Sequence, residues 1–122
     1  MKKLIAAALL VAASASQAGH LDVIAFTMQE DCSLSTYLAI VDDFNEWGED
    51  YGYQTEIAVP TFQADLNTHY WLGRSADGET FGKAYDAWIS GLADSESVPA
   101  ALNERFGECT ENTTRNAYLT FP

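Results

Sequence analysis

The segment that most constrains this chain is Leu21–Met28 (LDVIAFTM), whose apolar side chains occur at both odd and even positions. Successive side chains of a β-strand point to opposite faces of the sheet. Val23 and Ala25 therefore belong to one face, and Ile24 and Phe26 belong to the other. Because both sets are apolar, the segment predicts a strand that is covered on both sides. Any fold proposed for this chain has to bury two faces of the sheet that contains this strand.

The order of the predicted elements defines a fold class. Apolar residues recur at helical spacing from Leu34, and a second such stripe begins at Phe81. The order strand, helix, strand, strand, helix, short helix, strand predicts an α+β fold of the split βαβ, or ferredoxin-like, type with a four-stranded antiparallel sheet. The predicted strands cover residues 21–28, 54–62, 68–74 and 113–121, and the predicted helices cover 34–47, 81–92 (capped by 77–80) and a shorter stretch that begins at 97–99.

The N-terminal residues have the order of a secretory signal peptide. Lys2 and Lys3 precede an apolar run, and small residues then lead to Ala18. The apolar run has about 10 residues, which is too short to span roughly 30 Å of hydrocarbon. We therefore predict that residues 1–18 are a signal peptide of the bacterial type, that residues 19–122 form one domain, and that the protein is periplasmic or secreted.

Cys32 and Cys109 are the two cysteines of the chain. Pairing is the default for two cysteines in an exported protein. The predicted topology places the last strand antiparallel beside the first, so the two cysteines come to the same end of the sheet. A metal site or a reactive thiol is the alternative, but two cysteines without a CxxC spacing make a poor metal site. We predict a Cys32–Cys109 disulfide.

The charge balance excludes several classes of partner. The chain has 18 acidic and 6 basic residues, and its net charge is −12. Basic residues are few and scattered, which argues against a nucleic-acid groove or an anionic membrane surface as a partner. The acidic surface is either a solvated shell that keeps an exported protein in solution or a surface that binds cations. No acidic segment has the spacing of a calcium loop, and we predict no metal site.

The predicted third strand also carries large side chains on both faces. His69 and Trp71 alternate with Tyr70 and Leu72. The helices of a lone ferredoxin-like domain cover one face of its sheet, so the other face would be an exposed apolar patch of a size that soluble monomers rarely tolerate. We therefore predict a homodimer in which a second copy of the sheet covers this face.

Two segments, Tyr70–Ser75 (YWLGRS) and Phe81–Trp88 (FGKAYDAW), together with the element order and the doubly apolar first strand, resemble the dimeric α+β barrel superfamily. Relatives in that superfamily include NIPSNAP-like proteins, stress-response barrel proteins and antibiotic-biosynthesis monooxygenases. The resemblance covers most of residues 20–122 and implies a dimeric barrel. The superfamily includes cofactor-free oxygenases, isomerases, haem-degrading enzymes and proteins without known activity, so the resemblance selects no activity. The signal peptide and the disulfide depart from the mostly cytosolic relatives.

The candidate site residues are aromatic and ionisable side chains of the third strand and the helices. An aromatic cleft between sheet and helices suits a small apolar ligand, and His69 with Tyr85 could supply acid–base chemistry near neutral pH. The alternative interpretations are that the aromatics are ordinary core, that His69 lies at a rim or a dimer interface, and that Arg74 pairs with a surface carboxylate. The predicted ligand-binding residues are Trp47, Tyr70, Trp71, Arg74 and Trp88.

The sequence therefore favours an exported homodimer that binds a small hydrophobic or aromatic molecule and requires no cofactor. The alternative function is a cofactor-free oxygenase or isomerase that uses His69 as its acid or base. A third interpretation is a structural protein whose interior is filled by its own side chains.

Overall fold

The computed structural model describes residues 18–122, so residues 1–17 of the predicted signal peptide lie outside the described residues. The described chain forms one antiparallel sheet and three α-helices, in the order predicted from the sequence. The strands are β1 (Gly19–Met28), β2 (Gln54–Ala58), β3 (Thr68–Ser75) and β4 (Thr110–Thr120), and the helices are α1 (Leu34–Gly48), α2 (Gly78–Leu92) and α3 (Val98–Cys109).

The four strands lie in the order β2-β3-β1-β4. β1 is central and pairs antiparallel with both β3 and β4, so that Ile24 lies opposite Trp71 on one side and Arg115 on the other. The register of the β1–β4 pair shifts between Ala25 and Phe26. This arrangement confirms the predicted ferredoxin-like fold.

Two strand boundaries differ from the prediction by three residues or more. β2 ends at Ala58 and not at Phe62, because Pro60 has no N–H to donate to the ladder. β4 begins at Thr110, three residues before the predicted start at Thr113. The first residues of β4 are polar and mostly exposed, so they give no apolar alternation from which a strand can be recognised.

Each helix begins with a side-chain cap. Ser33, Asp77 and Ser97 are the N-cap residues, and the side chain of each accepts a hydrogen bond from the backbone N–H three residues later. The buried side chains of α1 recur at the spacing of one helical face. They pack against Phe26 and Trp71 of the sheet, so the helices cover the face of the sheet that carries the even positions of β1. The buried side chains of α1 are Tyr37, Ile40, Val41 and Phe44.

The predicted cysteine pair is present. The sulfur atoms of Cys32 and Cys109 lie at disulfide-bonding distance, and their Cα atoms are 5.1 Å apart. The backbone N–H of Gln29 donates to the carbonyl oxygen of Cys109 at 2.9 Å, so the loop after β1 holds the end of α3 by a covalent bond and a hydrogen bond. A disulfide is compatible with an oxidising compartment.

The opposite face of the sheet carries the side chains that alternate with the core set. Strand pairing places Val23, Tyr70 and Leu72 on this outer face. Tyr118 of β4 lies opposite Leu21 of β1 and is 51% exposed. The outer face therefore presents apolar and aromatic groups that the three described helices do not cover.

Candidate functional site

A cleft of about 290 Å³ lies between the helix-covered face of the sheet and the three helices. This volume is at the lower end of the range for sites that hold small molecules. Its walls are mainly aromatic, with a few polar groups from β4 and α3. The cleft is lined by Ile24, Phe44, Trp47, Tyr53, Trp71, Phe81, Ala84, Tyr85, Trp88, Asn103, Phe106, Gly107, Thr110, Asn112 and Arg115.

Phe44 of α1 is at the centre of the aromatic wall. Its ring centroid is 4.7 Å from that of Trp71 and 5.5 Å from that of Trp88, and both pairs meet edge to face. Trp47 packs against Trp88 in the same way, with centroids 5.4 Å apart. These are preferred geometries for aromatic pairs, each worth about 0.5–1.5 kcal/mol beyond the area buried. Contacts among these rings therefore hold the aromatic wall in place.

The spacing of residues along α2 explains why this helix faces the cleft. Phe81, Ala84, Tyr85 and Trp88 recur at intervals of three and four residues, which is one face of an α-helix. The small side chain of Ala84 is buried, whereas the large rings on either side of it are only partly buried. Alanine at the middle of this face leaves the space that the neighbouring rings enclose.

A buried acidic side chain lies beneath the sheet residues that form the floor of the cleft. Asp22 of β1 is fully buried, with a relative exposure of 0%. Arg115 of β4 donates from Nε to Asp22 Oδ1 at 2.9 Å and from Nη2 to Asp22 Oδ2 at 2.7 Å. This is the bidentate geometry in which arginine and carboxylate pair most strongly. The guanidinium also stands over the ring of Tyr85, with Cζ 5.4 Å from the ring centroid.

Tyr53 and Trp71 extend this pair into a chain of hydrogen bonds. The hydroxyl of Tyr53 donates to Asp22 Oδ2 at 2.9 Å, and Nε1 of Trp71 donates to the Tyr53 hydroxyl oxygen at 2.7 Å. An indole N–H can only donate. The Tyr53 oxygen therefore accepts from Trp71, and its one proton goes to Asp22. We name these four residues, Asp22, Arg115, Tyr53 and Trp71, the acid–arginine network.

The surroundings hold two members of the network in the protonation states that these bonds need. Burial, followed by the charge of Asp22, raises the pKa of the Tyr53 phenol well above its ordinary value. The hydrogen bonds to Asp22 raise the pKa of the Arg115 guanidinium. Tyr53 is thus a neutral donor and Arg115 is a cation at any physiological pH.

Gly73 makes room for the Tyr53 ring. Gly73 of β3 lies opposite Asp22 in the sheet, and a Cβ added at Gly73 would overlap the phenol of Tyr53. We expect Gly73→Ala to displace the phenol and to lower the free energy of unfolding by about 1–3 kcal/mol, as overpacked buried sites do. Urea denaturation measures the change.

Gly82→Ala is the matched control for this substitution. A Cβ added at Gly82 in α2 meets no atom within 4 Å, and alanine is a better helix former than glycine by about 1 kcal/mol. The control variant should be as stable as the unmodified protein or more stable. If Gly73→Ala is equally well tolerated, the account of the space beside Tyr53 is wrong.

The structure divides the predicted site residues into two groups. Trp47, Trp71, Tyr85 and Trp88 line the cleft together. Tyr70 and Arg74 of β3 lie on the other face of the sheet from Trp71, because side chains alternate along a strand. Arg74 is exposed, and its Nη2 lies 3.2 Å from Oε1 of Glu56, which matches the surface-pair alternative.

His69 lies on the same face of the sheet as Trp71 but is not among the residues that line the cleft. Its ring is tilted against that of Phe26, with centroids 5.6 Å apart. Its Nδ1 is 3.2 Å from the backbone oxygen of Asn67. His69 is the second residue of β3, two residues before Trp71 on the same face. Its predicted acid–base role stays a prediction, and this cleft gives it no reacting partner.

Asp22, Tyr53 and Arg115 were not singled out from the sequence. A signal was nevertheless present, because Asp22 interrupts a strand predicted to be buried on both faces. A buried carboxylate needs a cationic or hydrogen-bonding partner. Arg115 is the basic residue of the strand predicted to lie beside β1. The sequence alone therefore contained the information that pairs Asp22 with Arg115. Tyr53 lies in the loop between α1 and β2 and offered no such signal.

Within residues 18–122, no three His, Cys, Asp or Glu side chains come together in a way that could hold a metal ion. None of the helices in that range has both the length and the apolar character needed to cross a membrane.

Solved structures with the same arrangement of elements support the fold. Protein SO0527 from Shewanella oneidensis aligns over 84% of this chain and 90% of its own, with a TM-score of 0.53 and 12% identity. SnoaB, a cofactor-independent oxygenase from Streptomyces nogalater, aligns over 86% of this chain and 95% of its own, with a TM-score of 0.51 and 8% identity. The hydroxynitrile lyase from Passiflora edulis aligns over 84% and 97%, with a TM-score of 0.51 and 17% identity.

The chain has the ferredoxin-like fold that its sequence predicted, and these solved structures share the arrangement. At these identities the likeness concerns the fold alone, and one fold supports many activities. No protein-family model matches the chain, and no curated protein sequence is significantly similar to it. The feature of this chain that bears on function is therefore the cleft.

Proposed function

We propose that the protein is an exported homodimer that binds a small apolar or aromatic molecule in the cleft, with Arg115 donating hydrogen bonds to a polar atom of that molecule. The observation that carries the proposal is the combination of an aromatic cleft of about 290 Å³ with one charged group on its described lining, Arg115. An arginine side chain has five N–H groups, and Asp22 accepts from two of them. Three N–H groups are therefore available to a ligand.

The remaining walls of the cleft suit the apolar part of a ligand. Trp47, Trp88 and Phe106 present ring faces and edges to the cleft, and these are among the groups that most often line small-molecule sites. Asn103 and Asn112 supply further hydrogen-bonding groups at the edge. A flat ring system with one polar substituent fills such a site better than a sugar or a peptide, whose many polar groups would lose water without a partner.

A binding titration tests this function. We expect a methyl naphthyl ketone to bind the purified protein with a Kd of about 10–100 µM, from a modest binding energy per ligand atom. Isothermal titration calorimetry measures the Kd. Ala84→Leu places a larger side chain where the α2 face is smallest, and it should weaken binding at least about tenfold, which corresponds to about 1.4 kcal/mol.

Ala101→Leu is the matched control for the filled cleft. Ala101 is exposed on α3 and does not line the cleft, so the same enlargement there should leave the Kd unchanged. Circular dichroism confirms that both variants are folded. Equal affinity of Ala84→Leu and the unmodified protein would contradict the assignment of the cleft, and no binding of the ketone to any form would contradict the proposed function.

The alternative function is a cofactor-free oxygenase or isomerase. It is supported by the fold shared with SnoaB, a cofactor-independent oxygenase. In this cleft such chemistry would have to rely on Arg115 and Tyr85, because His69 is not part of the lining. His69→Ala tests only the form of this alternative in which His69 is the acid or base, and in that form it lowers turnover. The ketone Kd should be unchanged in either case, because His69 lies outside the lining.

The outer face of the sheet supports the proposed homodimer. Val23, Leu72 and Tyr118 lie there, and the described helices cover the other face. Packing this face against a copy of itself around a two-fold axis removes the apolar surface from water. We expect sedimentation at micromolar concentration to give about twice the monomer mass.

Two matched leucine substitutions test the dimer. Leu72→Arg places a charge on the outer face and should give monomers. Leu38→Arg places the same charge on an exposed position of α1, where the leucine is 39% exposed, and should leave the mass unchanged. A monomeric unmodified protein, or dissociation by both substitutions, would contradict this interface.

Export is proposed from two independent features. Residues 1–18 have the order of a bacterial-type signal peptide, and the paired cysteines suit the periplasm or the extracellular space. Mass spectrometry of protein secreted by a bacterial host tests the site of cleavage, which we expect after Ala18. A mature protein that retains Lys2 and Lys3 would contradict this proposal.

A further inference from the structure

The charge of Arg115 is already balanced inside the protein. Asp22 accepts one hydrogen bond from Nε and one from Nη2 of the guanidinium. The aspartate side chain is 1% exposed, whereas the arginine side chain is 46% exposed. The acid is therefore behind the arginine as seen from the cleft. A ligand meets the free edge of Arg115 and, directly behind it, a negative charge that water does not screen.

We infer that the polar group of the ligand is uncharged, a ketone, quinone or phenol oxygen and not a carboxylate, and that Asp22 is the residue that sets this specificity. The inference rests on the proposed function and adds the class of ligand to it. Arg115 supplies hydrogen bonds without supplying net positive charge. The three free N–H groups satisfy a neutral oxygen as well as a charged one.

A carboxylate would lose more hydration free energy on entering the cleft than its contact with Arg115 could return. Transfer of an ionised carboxylate out of water is costly unless an unpaired cation receives it. No residue of the described lining other than Arg115 carries a charge, and Arg115 is paired. A neutral carbonyl has a much smaller desolvation cost, and one or two hydrogen bonds from the guanidinium compensate for that cost.

The position of Asp22 in the sheet favours a specificity role for this charge. Tyr53 and Arg115 both donate to the carboxylate, and Trp71 holds Tyr53. The acid cannot turn away from the arginine without breaking these bonds. The neutralising charge is thus fixed at one distance from the ligand's polar atom, and this is the condition for discriminating a neutral ligand from an anionic one.

The test compares two probes that differ in one substituent at the same ring position, a methyl naphthyl ketone and naphthoate. We expect calorimetry at neutral pH to give a Kd for the ketone at least about tenfold lower than that for naphthoate. Asp22→Asn removes the charge but retains the size and an oxygen that can accept from Tyr53. In this variant we expect the order to reverse, with naphthoate binding more tightly than the ketone.

The titrations are repeated in 0.5 M NaCl to separate Asp22 from the acidic surface. The Debye length is then about 4 Å, so repulsion of naphthoate by the net charge of −12 is screened while the buried pair is not. The preference for the ketone should persist. Glu56→Gln, which removes an exposed carboxylate outside the cleft, is the matched control and should leave both affinities unchanged.

Each outcome decides one claim. Equal affinity for the two probes, or tighter binding of naphthoate by the unmodified protein, overturns the inference and leaves the proposed function intact. Failure of both probes to bind overturns the proposed function. A folded Asp22→Asn variant that keeps the preference for the ketone shows that Asp22 does not set the specificity. The comparison of the two probes on the unmodified protein needs no variant, so it decides the ligand class even if Asp22→Asn does not fold.

Discussion

Replacing Asp22 with alanine should lower the free energy of unfolding by about 2–4 kcal/mol, because it removes the acceptor of three hydrogen bonds at a fully buried position. The Tyr53 hydroxyl would lose its acceptor inside the core. Arg115 would lose its counter-charge but could regain water, since its side chain is 46% exposed. This partial access to solvent keeps the expected loss below the largest values known for broken buried pairs.

Urea denaturation at a fixed protein concentration, with the disulfide intact, measures this loss. Asp43→Ala is the matched control. Asp43 forms an ion pair with Arg105 in which the two side chains are 53% and 43% exposed, and exposed pairs contribute about 0–1 kcal/mol. If Asp22→Ala destabilises the protein no more than Asp43→Ala does, the buried pair is not a structural element of the cleft floor.

Loss of the Cys32–Cys109 bond should lower the free energy of unfolding by about 4 kcal/mol. The bond closes a loop with a sequence separation of 77 residues, and a loop of that length removes much of the conformational freedom of the unfolded chain. The variant Cys32→Ala/Cys109→Ala removes the bond without leaving a free thiol. Thermal and urea denaturation should both show the decrease.

The same variant should also bind the ketone more weakly. Cys109 ends α3, and Phe106, Gly107 and Thr110 next to it line the cleft. Gln29 also holds this end of α3, through a hydrogen bond from its Nε2 to the Gly107 oxygen at 2.9 Å. Without the disulfide, the loop after β1 holds this end of α3 only through the two hydrogen bonds from Gln29, to Gly107 and to Cys109. The cleft residues at the end of α3 should then be less well fixed.

Reduction of the unmodified protein is the control for the double substitution. A reducing agent should destabilise the unmodified protein by an amount similar to the substitution and should leave the double variant unchanged. Destabilisation of the double variant by the reducing agent would mean that the agent acts on something other than this bond. Stability of the unmodified protein that does not respond to complete reduction would contradict the expected contribution.

Most of the fold was accessible from local patterns. The apolar stripe of α1, the cap residues Ser33 and Asp77, and the alternation of β3 are each encoded within a few residues, and local signals of this kind agree with the observed elements. The ends of β2 and β4 were predicted less well. Strand ends depend on which backbone groups find a partner on the neighbouring strand, and that information is not local.

The structure brings some of the predicted site residues together. The tryptophans on α1, β3 and α2 do share one cleft. Tyr70 and Arg74 were grouped with Trp71 because they are close to it in sequence, but residues one or three positions apart in a strand point to opposite faces. His69 shares the face of Trp71, but it is two residues nearer the start of β3 and does not line the cleft.

The sequence by itself determined the class of fold, the position of the disulfide and the need to cover both faces of β1, because each of these follows from the order and polarity of nearby residues. Only the tertiary structure decided the chemistry of the cleft floor. Asp22 and Arg115 are 93 residues apart in the chain, and Tyr53 reaches Asp22 only because Gly73 on the neighbouring strand leaves space for its ring. Contacts between such distant residues depend on strand register and on packing in three dimensions, which local sequence patterns do not record.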